Sequence, residues 1–139
     1  MKVTLNRIND DYLFEAKGPN NISVSIDNKS NDVVNGASPM ELLLMAVGGC
    51  NAIDIISILK KQRQTVKSYK IDVEGTRKEV REAKPFESIH VTIFLEGEIS
   101  EDKAKRAASL SFEKYCSVSI TMEGAVKITY DIILNGKHI

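Results

Sequence analysis

Cys50 and Cys116 are the two residues of this 139-residue sequence best suited to nucleophilic or redox chemistry. A thiolate attacks electrophiles directly, and two thiols within disulfide range can cycle between dithiol and disulfide. The pair stands 66 positions apart, which excludes a CxxC motif and a disulfide scaffold, and with two histidines a structural zinc cluster has no support. Cys50 follows Gly48-Gly49 within an apolar run. The glycines leave room beside the sulfur for a small substrate, and Asn51 and Asp54 place polar atoms nearby. Against this, free cysteine is among the most buried residue types, so Cys50 taken alone reads as a small core residue. Cys116 lies in KYCSVS, where the chain turns toward its last strand. It too reads as structural by itself, although a cysteine at a helix end can meet a partner from another element if the Cα atoms come within about 7 Å.

The other titratable residues are weaker candidates. Glu41 reads first as a helix cap and second as a catalytic carboxylate. His90 falls on the strand face opposite Ile89 and Val91, as a solvated or paired side chain does. Arg7, Arg63 and Arg106 are salt-bridge candidates, and Asp27, Asp54 and Glu113 have no metal-ligand spacing. There is no glycine-rich phosphate loop and no GxSxG elbow.

The elements that must position the cysteines follow from periodicity. Val3 to Arg7, Tyr12 to Ala16 and Ile22 to Ile26 alternate as three short strands separated by Asn9-Asp10-Asp11 and Gly18-Pro19-Asn20-Asn21. Residues 27–36 (DNKSNDVVNG) read as a surface loop. Ser38-Pro39-Met40-Glu41 is a capping box with proline at the first helical position, so a helix starts there and runs to about Arg63. It spans about 26 residues and about 39 Å. Its first half, Leu42 to Val47, is apolar nearly all round and must be covered on every face. A monomer of this length has a radius of gyration of about 14 Å. Some of that cover must then come from a second chain, and an obligate homodimer is expected. Gly48-Gly49 predicts a kink or a close backbone approach in mid-helix.

Tyr69 to Val73 and Ile89 to Leu95 follow as two long strands forming a hairpin with one wet face. Ser100-Glu101-Asp102 caps a second helix with Ala104, Ala107, Ala108, Leu110 and Phe112 on its apolar face, ending near Tyr115-Cys116. Val126 to Leu134 alternate as the last strand. The order βββαββαβ without a repeated βαβ unit predicts a single α+β domain over residues 1–139, with a mainly antiparallel sheet and a long buried central helix.

Composition narrows the function classes. Apolar residues make up 42% and charged residues 27%, which suits a packed globular domain. Nineteen basic and nineteen acidic side chains cancel, so no positive field recruits nucleic acid or anionic lipid. The first thirty residues contain neither a signal peptide nor a transmembrane stretch, so a cytoplasmic protein is expected.

With ASPMELLLMAVGGCNAIDIISILKKQR and RAASLSFEKYCSVS in view, the chain resembles the OsmC/Ohr family of thiol peroxidases, and more closely its YhfA-like branch. The resemblance in element order covers essentially the whole chain. It implies an intertwined homodimer with long central helices packed between sheets and two active sites at the subunit interface. It also implies that Cys50 is the peroxidatic cysteine, attacking a hydroperoxide to give a sulfenic acid, and that Cys116 resolves it to a disulfide. A dithiol reductant, a dihydrolipoyl group in the Ohr members, would reset the pair. No bound cofactor and no metal is implied.

One position departs from the family pattern. In Ohr members a glutamate ten residues before the reactive cysteine holds an N-terminal arginine beside the thiolate. Here that position is Met40, and the acidic residue is Glu41, about 100° further round the helix. Arg7 is the available N-terminal arginine. Glu41, Asp54 and Arg7 are therefore supporting candidates beside the two cysteines. Without the cation the thiolate is less stabilised, and slow turnover is expected. Two readings stand: a cysteine-based peroxidase acting on organic hydroperoxides or hydrogen peroxide, and a non-peroxidase protein of the same fold binding a small hydrophobic or thiol ligand at the dimer interface.

Overall fold

The computed structural model describes all 139 residues, and its contacts gather into two units, Met1–Leu43 and Leu44–Ile139. In the first, β1 (Thr4–Arg7), β2 (Phe14–Lys17) and β3 (Ser23–Ile26) form an antiparallel sheet in chain order. Thr4 pairs with Lys17, and Phe14 pairs with both Arg7 and Ile26. β2 begins two residues later than the alternation predicts because Asn9 reorganises the turn. Its Oδ1 accepts from the Asp11 and Leu13 amides at 3.0 and 3.2 Å, which draws residues 9–13 out of the ladder. Ala16 is the sole buried apolar residue of this unit, while Val3, Leu5, Ile8, Tyr12, Ile22 and Val24 are exposed.

Helix α1 (Pro39–Lys61) opens in the first unit and continues through the second. The capping box forms as expected: Glu41 N–H donates to Ser38 Oγ at 3.3 Å, and Ser38 N–H donates to Glu41 Oε2 at 2.8 Å. The helix ends two residues before Arg63 because Arg63 takes a left-handed conformation (φ 57°). Its amide donates to the Lys60 carbonyl and that of Gln64 to the Leu59 carbonyl, both at 3.0 Å, which closes a Schellman motif. By length and composition α1 could cross a membrane, with a mean hydropathy of 2.0 over its most apolar stretch. Val47, Ile55 and Leu59 form a fully buried stripe inside the second unit. The burial expected on every face is only partly met within the chain, since Leu43, Met45 and Ile53 are exposed. The helix is continuous through the glycine pair, and the close approach belongs to Gly48, where a Cβ would lie 2.8 Å from Val73 Cγ2.

In the second unit β4 (Thr65–Arg77) and β5 (Phe86–Glu98) pair as a long antiparallel hairpin. The chain then passes through α2 (Glu101–Leu110), a π-helical turn (Ser111–Tyr115) and α3 (Ser117–Met122). It returns as β6 (Lys127–Leu134) parallel to β5, and β7 (Lys137–His138) closes the sheet order β4-β5-β6-β7. Ile89, Val91, Ile93 and Leu95 of the interior strand β5 form the centre of the core with Ala104, Ala107 and Ala108 of α2. Ser100 stands at the start of α2 without a side-chain cap. Its amide is instead held by Gln64 Oε1 at 2.9 Å.

Gly97 faces a bulge where Lys67 is left out of the register between Val66 and Ser68. Its φ is +141°, and a Cβ there would lie 2.1 Å from the Thr65 carbonyl oxygen. Asn135 fastens the same glycine on both sides, accepting from Gly97 N–H at 2.9 Å and donating to its carbonyl at 3.1 Å. Gly97→Ala is expected to cost about 2 kcal/mol, the scale of one strained residue plus overpacking. Urea unfolding at fixed protein concentration checks it, and an unchanged midpoint would show that the hairpin gives way freely.

Candidate functional site

Every fourth residue of α1 from Val47 to Leu59 faces inward: Val47, Asn51, Ile55 and Leu59. Asn51 is the polar member of that stripe and is wholly buried. Cys50, one step round the helix, is half-buried. The other half of the site comes from the end of α2. There the Cys116 amide donates to the Ser111 carbonyl at 2.8 Å, a five-residue spacing that makes a π turn. The turn buries Ser111 completely and brings Cys116 to the N-cap of α3.

Cys116 is fully buried, and its sulfur accepts from Ser119 N–H at 3.3 Å and Ser119 O–H at 3.1 Å. Ser119 Oγ accepts in turn from Asn51 Nδ2 at 3.2 Å. Asn51 Oδ1 accepts from Ser111 Oγ at 2.8 Å, and Asn51 Nδ2 also donates to the Val47 carbonyl at 2.8 Å. Asp54 stands at the margin, with Oδ2 3.4 Å from Ser111 Oγ.

The two thiols are neighbours, and Cys116 and the Val118 amide both act on the Cys50 thiol. Burial pushes the Cys50 thiol up, Cys116 and the Asp54 carboxylate add to the rise, and the Val118 N–H opposes it. None of these groups is a cation. The arrangement brings two free thiols near one another at the start of α3, a pairing suited to dithiol and disulfide exchange. No group of three His, Cys, Asp or Glu side chains could hold a metal ion.

The supporting candidates have other attachments. Arg7 donates through Nε to the Asp11 carbonyl at 2.9 Å, and a terminal guanidinium nitrogen donates to the Asp10 carbonyl, so this side chain braces its own turn. Glu41 completes the capping box and pairs with Lys29 Nζ at 2.5 Å. The Lys29 hydrogen bond is the main reason its carboxyl is held down to about 2, with the Ser38 amide and hydroxyl adding to it. A carboxyl lowered in the folded state stabilises above its ordinary value of 4.5 and loses that contribution as pH falls through about 2. Glu41→Gln is therefore expected to lower the urea midpoint at pH 7, with the gap from wild type closing between pH 4.5 and about 2. Both side chains are well exposed, so added salt shrinks the gap. A gap that persists unchanged at low pH would assign Glu41 a role other than ion pairing. His90 is paired as expected, with Nδ1 2.8 Å from Thr129 Oγ1 and Nε2 3.3 Å from Asp131.

Ser111 and Ser119 escape the sequence reading. The available signal was the spacing Cys116-Ser117-Val118-Ser119, a cap-like residue followed three later by a small polar side chain, which suits a helix start better than a helix end.

Two sheets, a central helix carrying one thiol and a π turn presenting a second define an α+β protein with a neighbouring cysteine pair. The family model for OsmC-like proteins matches residues 28–131, and the chain belongs to that family. Protein YhfA of Escherichia coli strain K12 is 42% identical over 108 residues, covering 77% of this chain and 78% of that protein. A hypothetical protein from Aquifex aeolicus VF5 has a similar crystal structure, with a TM-score of 0.81, 32% identity and 96% of each chain covered. The organic hydroperoxide resistance protein OhrB of Bacillus subtilis shares the fold, with a TM-score of 0.64 and 16% identity over 94% of this chain and 96% of that one.

Proposed function

We propose that this chain is a thiol-dependent peroxidase that reduces organic hydroperoxides or hydrogen peroxide in defence against oxidative stress. Cys50 attacks and Cys116 resolves. The observation that carries this reading is the proximity of Cys50 to Cys116, brought together from α1 and from the junction of the π turn with α3. The name of the OhrB neighbour points the same way. The Cys50 thiolate takes the terminal peroxide oxygen, an alcohol leaves, and the sulfenic acid condenses with the Cys116 thiol to give the disulfide and water. A dithiol of the dihydrolipoyl kind supplies two electrons and two protons to restore the thiols. With burial pushing Cys50 up and no cation among the groups acting on it, turnover is slow at neutral pH and rises as pH rises. The test is consumption of cumene hydroperoxide by purified protein with dihydrolipoamide. Catalytic turnover supports the reading, and oxidation of neither cysteine overturns it.

A non-peroxidase protein holding a small hydrophobic or thiol ligand is the second reading. The raised Cys50 thiol favours it. Ligand binding that survives Cys50→Ser, without peroxide consumption by the wild type, would select it.

The working unit is an obligate homodimer in this proposal. Leu43, Met45 and Ile53 leave α1 with exposed apolar side chains, and the first unit exposes Val3, Leu5, Ile8, Ile22 and Val24 around a single buried alanine. A second copy offers the same apolar surfaces for mutual burial. Unfolding is expected to shift to higher urea as protein concentration rises. A folded monomer in sedimentation at micromolar concentration would refute the dimer.

A further inference from the structure

We propose that Ser119, oriented by Asn51, is a positioning residue that makes Cys116 the departing sulfur when the disulfide is reduced, so that the dithiol reductant attacks Cys50. This rests on the redox pair proposed above and adds the direction of its reductive half. The hydrogen bonds run one way. Ser111 O–H donates to Asn51 Oδ1, Asn51 Nδ2 donates to Ser119 Oγ, and Ser119 O–H donates to Cys116 Sγ. Because Ser119 Oγ already accepts from Asn51, its own proton is aimed at the sulfur. The Ser119 amide points there too, at the first turn of α3. Ser111 and Asn51 are fully buried and Ser119 nearly so, so water does not dilute these bonds.

A disulfide sulfur is a poor hydrogen-bond acceptor and a departing thiolate is a good one. Two fixed donors on Cys116 therefore strengthen as charge develops there during reduction. One thiolate of the reductant bonds to Cys50 Sγ, the S–S bond breaks with its electron pair going to Cys116, and the proton from the reductant's first thiol neutralises that sulfur. The second reductant thiol then displaces Cys50 and closes the reductant's own disulfide. Burial agrees with this direction, since Cys116 is fully covered while Cys50 is half-exposed.

The experiment measures the Cys50–Cys116 equilibrium in wild type, Ser119→Ala and Ser119→Thr, poised in mixtures of oxidised and reduced lipoamide without any peroxide. Circular dichroism confirms folding of each variant. Ser119→Ala removes one donor from the reduced form alone, so its disulfide is expected to be favoured about tenfold over wild type. That is a potential about 30 mV more negative at 29.6 mV per decade. Ser119→Thr keeps the hydroxyl at a position that lines an open cleft of about 430 Å³ with Ile120 and Val126, and it is expected within about twofold of wild type. Glutathione added to the oxidised wild type should be trapped on Cys50 by mass spectrometry. An unchanged equilibrium in Ser119→Ala, or glutathione on Cys116, overturns the positioning role. A shifted equilibrium in a protein that peroxide never oxidises leaves the positioning role standing and rejects the peroxidase. No disulfide in any redox mixture rejects both.

Discussion

Cys50→Ser is expected to consume no hydroperoxide, whereas Cys116→Ser consumes one equivalent quickly and a second only slowly, without turnover. Serine at 50 has no thiol to attack the peroxide, so activity falls to background. Serine at 116 is among the preferred N-cap residues, and its oxygen can take over the acceptor role that Cys116 Sγ now plays toward the Ser119 amide. The second variant should therefore fold, and its defect is chemical. Its Cys50 sulfenic acid finds no resolving thiol, lingers, and passes to sulfinic acid under excess peroxide. Wild type by contrast loses both free thiols and gains one intrachain disulfide. Since Cys50 is pushed up by burial and by Cys116, its thiolate fraction grows with pH, and the single-turnover rate should rise through pH 7 and beyond rather than level off below it. Stopped-flow peroxide consumption with mass spectrometry of trapped thiols reads all three proteins. If Cys50 stays a free thiol in millimolar organic hydroperoxide while Cys116 oxidises, the roles are reversed and the ligand-binding reading moves ahead.

Local rules made α1 legible. Ser38, Pro39 and Glu41 mark its start within four consecutive positions, and each contributes a contact or a dihedral independent of the rest of the fold. The long strands β4, β5 and β6 were also readable, because sustained period-two alternation has no helical counterpart. The end of α2 was not. A π turn inserts one residue into a helical pattern without a fixed composition, so Ser111–Tyr115 looked like the last turn of an ordinary helix and α3 went unseen behind it. The parallel pairing of β5 with β6 was hidden for a related reason, since the connection that makes it possible contains both segments. β7 carried a signal that the long β6 overshadowed: Asn135-Gly136 is a tight hairpin turn, and Asn135 and Gly136 both have positive φ. In the site, Cys50 and Cys116 stood out by residue type. Their contact, and the serines that tie Cys116 to Asn51, join positions up to 68 apart and required the folded chain.

Asn51 bears the largest structural load of the site. It makes three hydrogen bonds from a wholly buried position, two of them to serines on the π turn and on α3. Asn51→Ala leaves the Ser111 hydroxyl with only the 3.4 Å contact to Asp54 and leaves Ser119 Oγ without its donor. Each buried polar group stranded in this way costs about 1–3 kcal/mol, and a small cavity adds to it. The expected loss is about 2–4 kcal/mol, a large share of a typical domain stability of about 5–15 kcal/mol. The separate variant Ser111→Ala should cost less, because Asn51 keeps its bonds to Val47 and Ser119. Combined with Asn51→Ala it removes the stranded hydroxyl, so the double variant should be more stable than the sum of the two losses predicts, by about 1 kcal/mol. Urea unfolding of the four proteins at one concentration measures that coupling. Additive losses would mean that water or Asp54 fully replaces Asn51 at Ser111. The relay toward Cys116 would then begin at Asn51 itself, with Ser111 serving only to shape the π turn.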